Sequence, residues 1–280
     1  MTRIILLLLL CVINLVGLHA QSFKAYVSHG LGKEDSAFRF FKRGLIVLDD
    51  SGKELRRTEL LYDMVVYCDG FDRAAVNLPL ISLEYGRKMG FERGQVWICL
   101  DYNLKPVFIF PENTDHGVKI IDEMFLYKDK PGHYSTVGLV DKDGNVIFEA
   151  PYKRIYLEND KCIGVKDITE DNNVRIQNWM IEIKSRSSKI LHVIELKTPR
   201  DSSAGLWFEA EDEDQALVFK AILKEDPFQR GLNHVVHIRI DEALKCFREA
   251  LGNDDTEIVK CSEYNIKALE SGFYLSVVPI

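Results

Sequence analysis

Residues 136–156, TVGLVDKDGNVIFEAPYKRIY, set two short apolar runs on either side of Asp141-Lys142-Asp143-Gly144 and reach Tyr152 before a third run begins. Asp-Gly tolerates the positive φ of tight hairpin turns, and β-branched flanks suit a pleated surface. The stretch predicts a β-hairpin followed by a further strand. Two other segments share the plan. Residues 44–55, GLIVLDDSGKEL, turn at Asp49-Asp50-Ser51-Gly52. Residues 94–110, GQVWICLDYNLKPVFIF, break at Asp101-Tyr102-Asn103-Leu104. Strand-like pieces follow at 71–78 (FDRAAVNL) and 161–168 (KCIGVKDI). One such unit cannot bury both faces of its hairpin, so neighbouring units must stack to make a core.

The unit resembles the WG (KWG) repeat. That pattern runs roughly Trp-Gly, an apolar run to Asp, a Gly-containing turn, Lys and a second apolar run, Tyr-Asp, then a further strand. The third unit matches at Gly138, Leu139, Val140, Asp141, Gly144, Val146, Ile147, Tyr152 and Ile155. The first matches at Gly44, Gly52, Lys53, Tyr62, Asp63, Phe71, Ala75 and Val76. The middle unit keeps Gly94, Asp101, Lys105 and Val107 and lacks the turn glycine. The tryptophan before each leading glycine is absent; Arg43, Arg93 and Val137 stand there, and Trp97 sits three residues late. The resemblance implies a bacterial, often exported, binding or scaffolding module. It brings no active-site residue with it.

The chain of 280 residues opens MTRIILLLLLCVINLVGLHAQ. Arg3, the apolar run Ile4 to Val16 and a small residue at Ala20 have the layout of a secretory signal peptide cleaved after residue 20. The run is short for a bilayer span, which needs about 20 residues. Without Arg3 the mature chain carries 35 basic and 43 acidic residues. That balance argues against a general nucleic-acid binder, which needs a basic surface. Cys68, Cys99, Cys162, Cys246 and Cys261 are dispersed, with no CxxC pair. They read as buried small hydrophobes or as members of one or two disulfides that spacing cannot assign.

The composition changes near residue 170. Residues 170–205 predict a β-hairpin around Ser185, with Trp179, Ile181 and Ile183 on one face. Residues 211–226 predict a helix ended by Pro227, 233–240 a strand, and 241–252 a helix capped by Asp241 and stopped by Gly252. Residues 272–280, GFYLSVVPI, read as a final strand. The expected organisation is a signal peptide (1–20), a WG-like domain (21–170) and an α+β domain (171–280). The fold class is mainly β, built from stacked antiparallel β-hairpin repeats, with a smaller C-terminal α+β domain.

The chemistry reads as sparse. Asp141-Lys-Asp143-Gly144-Asn145 lacks an EF-hand's spacing, because the glycine stands fourth and position twelve is Tyr152. His234 and His237, three apart in an expected strand, would point to opposite faces and share no metal. The acidic run from Glu209 to Asp214 reads as a solvated helix start. GRKMGFERG (86–94) reads as a connection without the order of a phosphate loop. Gly-x-Ser-x-Gly, P-loop and His-Glu-x-x-His motifs are absent.

No catalytic, cofactor or metal residue is therefore expected. The aromatics of the repeat region read as core, with some available to line a peptide or glycan groove. The function implied is an exported, periplasmic or secreted, non-catalytic binding or scaffolding protein. Its expected partners are proteins, peptides or glycans at the cell envelope. The alternative is an exported hydrolase, whose fold would have to gather two or more of His192, His234, His237, Glu195 and Asp241 in one pocket.

Overall fold

The computed structural model describes residues 21–27, 43–58, 62, 64–78, 96–111, 114, 117–129, 136–170, 175–200 and 222–271. The expected signal peptide, the 86–94 connection, the 209–214 acidic run and the final strand lie outside these residues. No described helix is long and apolar enough to cross a membrane.

The chain is mainly β with a small C-terminal helical region, as the patterning predicts. Its strands are β1 (Ser22–Val27), β2 (Arg43–Leu48), β3 (Glu54–Arg57), β4 (Met64–Tyr67), β5 (Arg73–Leu78), β6 (Val96–Asp101), β7 (Pro106–Ile109), β8 (Val118–Ile121), β9 (Met124–Lys128), β10 (Val137–Val140), β11 (Val146–Tyr152), β12 (Arg154–Glu158), β13 (Lys161–Asp167), β14 (Ile176–Ser185) and β15 (Ile190–Pro199). They form four sheets, ordered β1-β2-β3, β4-β5-β6-β7, β11-β10-β9-β8 and β12-β13-β14-β15. Each is a meander of sequence neighbours. The chain falls into two compact units, Met1–Pro131 with Val140–Asn145, and Gly132–Leu139 with Val146–Ile280. Residue 170, the expected boundary, lies on the link between β13 and β14, which pair from Lys161↔Ser185 to Asp167↔Trp179.

The three expected hairpin turns have one backbone shape. In each, the aspartate N–H donates to the carbonyl four residues on: Asp49 to Lys53 at 2.9 Å, Asp101 to Lys105 at 3.0 Å, Asp141 to Asn145 at 3.0 Å. In each, the fourth residue has positive φ and donates back to the aspartate carbonyl: Gly52 at +78°, Leu104 at +58°, Gly144 at +89°. Each aspartate Oδ1 accepts two backbone N–H groups, from Ser51 and Lys53, Asn103 and Lys105, Asp143 and Asn145, at 2.8–3.0 Å. Aspartate's short carboxylate can close this ring on its own backbone. The Ser51 hydroxyl, with the backbone donors, lowers the pKa of Asp49. At Asp101 burial would raise the pKa, but the amide donors outweigh it and the net shift is downward.

A fourth copy, not expected as part of the series, joins β14 to β15. Ser185 N–H donates to Lys189 O at 2.8 Å, Ser188 N–H donates to Ser185 O at 3.0 Å, and Ser188 has φ +66°. Ser185 Oγ takes the Lys189 N–H at 3.2 Å where aspartate stands in the others. Asp141→Ala removes the Oδ1 bonds and the 2.7 Å bond from Asn145 Nδ2 to Oδ2. The turn is exposed, so water replaces part of the loss, and stability falls by about 1 kcal/mol. Asp101→Ala should match it within a factor of two by urea denaturation, and Asp49→Ala should shift the midpoint in the same direction. A null effect at one site would show that the shared geometry hides unequal energetics.

Within the first unit, the β1-β2-β3 and β4-β5-β6-β7 sheets meet through Phe23, Leu45, Val47, Ala74, Val76, Ile98 and Leu100. Turns also dock on neighbouring sheets. Arg73 donates to Lys142 O at 3.1 Å and pairs with Asp143 at 3.3 Å, while Phe108 lies so close to Gly144 that a Cβ there would meet its ring at 2.6–3.0 Å. Phe71, Phe108 and Phe110 surround Phe125 with ring centroids 5.3–5.9 Å apart. Many of the aromatics expected as groove candidates, among them Tyr62, Tyr127, Phe148 and Tyr152, are core residues less than a tenth exposed.

In the second unit, the β12–β15 sheet carries three helices: α1 (Pro227–Val236), α2 (Ile240–Ala250) and α3 (Thr256–Glu270). Trp179, Ile181, Ile183 and Leu196 of the sheet face Phe228, Leu232, Val235, Ala243 and Phe247. The strand expected at 233–240 is corrected: residues up to Val236 belong to α1. Asp226 caps it through bonds to Phe228 and Gln229 N–H, and Pro227, placed directly after the break that follows helical residues 222–225, opens it. Phe228, Leu232, Val235 and Val236 form one buried stripe, and that burial outweighs the β preference of Val235-Val236. The 211–226 helix is described only over 222–225, where it is helical. Asp241 is likewise corrected from N-cap to first-turn residue, since Arg239 holds the cap position of α2. Helix α3 was not expected, although Asp255 accepts from Glu257 N–H as its cap.

All five described cysteines are free. Burial pushes the thiols of Cys99 and Cys261 up to about 12 and that of Cys162 to about 11. Cys68 alone of the five is exposed. Ellman's reagent at pH 8 should label Cys68 at once and those three only after urea is added, because the thiolate is the nucleophile. Prompt labelling of several thiols in native protein would contradict the burial of these sulfurs.

Candidate functional site

A pocket of about 390 Å³ opens in the second unit. Its walls come from the β13–β14 link (Ile168, Thr169, Glu170), from Asn178 of β14, from Glu195 and Lys197 of β15, and from Tyr264 of α3. Register brings the strand residues together: Asn178 lies opposite Lys197 and Met180 opposite Glu195. Cross-strand partners and residues two apart share a face of a sheet. Asn178, Glu195 and Lys197 therefore occupy the face opposite to Trp179, Ile181 and Leu196, which lie in the core.

Two local devices shape the rim. Thr169 Oγ1 accepts from Asn178 N–H at 2.9 Å, and Ile168 N–H donates to Asn178 O at 3.0 Å. These bonds continue the ladder one step past β13. On the other side, the fully buried Asn265 covers the outer edge of β15. Its Oδ1 accepts from Lys197 N–H at 2.8 Å, and its Nδ2 donates to Lys197 O at 3.0 Å. Asn265 thus replaces a neighbouring strand at that point, and its predecessor Tyr264 projects over the pocket. The Lys197 ammonium sits 4.1 Å from the Tyr264 ring centroid. Burial and the charge of Glu195 raise the pKa of the Tyr264 hydroxyl, which stays protonated at neutral pH. The carboxylates of Glu170 and Glu195 and the amide of Asn178 have no hydrogen-bond or ion-pair partner among the described residues.

Of the five residues of which the hydrolase alternative would gather two or more, this pocket holds Glu195. His237 caps α1 and lies 3.1 Å from Glu158 Oε2 through Nδ1. His234 Nδ1 is buried without a hydrogen-bond partner among the described residues, and burial lowers its pKa. A second polar cluster joins β11 to the sheet behind it. Tyr152 OH donates to Glu182 at 2.6 Å, and Lys184 pairs with Glu182 at 3.2 Å while donating to Ile147 O at 3.1 Å. Each of its members is paired, so it reads as a clamp between strands. Among the described residues no group of three or more His, Cys, Asp or Glu is arranged to hold a metal.

The pocket escaped sequence reasoning because its residues are scattered from 168 to 264. The alternation along β14 and β15 marks which face they occupy, but nothing local marks α3 as their neighbour. No protein-family model matches the chain, and no curated protein matches it. Among solved structures, the chain is similar to the β-propeller domain of the Trilobed protease from Pyrococcus furiosus, at 12% identity and a TM-score of 0.34. The likeness covers 64% of this chain and spans 65% of that one.

Proposed function

We propose that the chain is an exported bacterial binding or scaffolding protein of the WG-repeat type, acting by surface contact with a protein, peptide or glycan at the cell envelope. The supporting observation is the recurrence of one hydrogen-bonded turn at Asp49, Asp101, Asp141 and Ser185. A repeated supersecondary unit presents similar edges at regular intervals, which suits extended contact rather than a single reaction centre. Leu55 and Val107, each on the strand that leaves such a turn, are exposed in the first unit. Residues 1–20 supply the export reading.

The test expresses the full chain in a bacterium with a C-terminal tag. Amino-terminal sequencing of the mature protein should read from Gln21. Crosslinking in the envelope fraction should recover a partner that the Leu55→Asp/Val107→Asp variant, folded by circular dichroism, does not. An unprocessed chain retained in the cytoplasm would end the export reading. Equal recovery with the double variant would end the role of these strands.

A further inference from the structure

We propose that the pocket between β14, β15 and α3 receives a cationic side chain, lysine or arginine, of a peptide partner, and that Lys197 is its built-in stand-in. This goes beyond the repeat-surface reading, since the residues that line the pocket include neither Leu55 nor Val107.

Three observations carry it. The Tyr264 ring already holds a cation, the Lys197 ammonium at 4.1 Å, so this ring face is placed and oriented for one. An aromatic face attracts cations through its quadrupole, and the attraction grows as the pair is desolvated. Beside it, on the exposed rim, stand the carboxylates of Glu170 and Glu195, with the half-buried amide of Asn178; none of the three side chains bonds to another described residue. These are acceptors only, apart from the amide NH₂, which suits an ammonium or guanidinium with several donors and no acceptor. The volume, about 390 Å³, lies at the small end of ligand pockets and has room for one long side chain.

Lys197 decides between cationic and anionic ligands. It is two residues from Glu195 on β15 and shares its face, so an incoming guanidinium that takes the ring leaves the displaced ammonium beside that carboxylate. Lys197 is therefore a competitor of the ligand. An anionic ligand would make Lys197 its main attachment instead. The two readings demand opposite outcomes from one substitution.

The experiment titrates the full-length mature protein with a fluorescein-labelled peptide of three alternating glycine and arginine pairs, and with its glutamate counterpart, at 0.15 M salt. The arginine peptide should bind and the glutamate peptide should not. Lys197→Ala should tighten arginine-peptide binding roughly threefold, the size of one exposed cation–π contact. Glu170→Gln/Glu195→Gln should weaken it about tenfold. Tyr264→Leu should weaken it comparably, and urea midpoints of all variants report that the fold persists. The proposal is overturned if neither wild type nor Lys197→Ala binds the arginine peptide, or if Lys197→Ala weakens binding. It is equally overturned if the peptide binds with no response to any of these substitutions, because the site then lies elsewhere.

Discussion

Asn265→Ala is expected to lower the stability of the C-terminal unit by about 3 kcal/mol, although it removes only a small polar side chain. The reason lies in the edge of β15. In an antiparallel pair, alternate residues turn their N–H and C=O groups away from the partner strand. Lys197, opposite Asn178, turns both outward, and Asn265 meets both, at 2.8 Å and 3.0 Å. Asn265 is fully buried, so alanine leaves a donor and an acceptor of Lys197 without these partners. An unsatisfied buried polar group costs about 1–3 kcal/mol. Asn265→Asp should do no better, since it keeps the acceptor and turns a carboxylate toward the Lys197 carbonyl. Urea denaturation gives the stability, and amide exchange at Lys197 gives the local effect. A midpoint unchanged in Asn265→Ala, with Lys197 still protected, would refute the strand-mimic role.

Phe247→Ala is expected to cost more, about 4 kcal/mol. Phe247 lies on α2 with no exposed surface, its ring 5.6 Å from that of Phe228 on α1. A Cβ at Gly231 of α1 would stand 2.9 Å from the same ring, so the helix backbone itself approaches the phenyl group. Such close packing on rigid backbone limits collapse into the space that alanine leaves, and the cost of a cavity grows with its residual volume. Leu251→Ala, four residues on and well exposed, is the control and should change stability by less than about 0.5 kcal/mol. Loss of helical signal at lower urea in Phe247→Ala alone would agree. Equal midpoints in the two variants would mean that the helices do not close a core on the β12–β15 sheet.

The turns were legible because their chemistry is local. Asp49, Asp101 and Asp141 each bond to groups two and four residues ahead, and Gly52 and Gly144 meet a positive φ without strain. The middle turn kept the shape without glycine: Leu104 adopts φ +58° and packs against the first unit's core, a compensation that no local rule announces. Ser185 holds the same place in a fourth turn, yet serine offers one acceptor oxygen where aspartate offers two, so its sequence does not mark the likeness. The Val235-Val236 pair looked like strand by composition. It is helix because Asp226 and Pro227 start one and because a buried stripe rewards the helical spacing.

From residue order alone came the hairpins, their turns and the β character of most of the chain, since each depends on atoms only a few positions apart. The folded chain alone could assign the helical stripe of α1, the covering of β15 by Asn265 and the gathering of Glu170, Asn178, Glu195, Lys197 and Tyr264. Those depend on which surfaces meet. Asn265 and Lys197 are separated by 68 positions, and only the packing of α3 against β15, driven by burial rather than by any local preference, makes them partners.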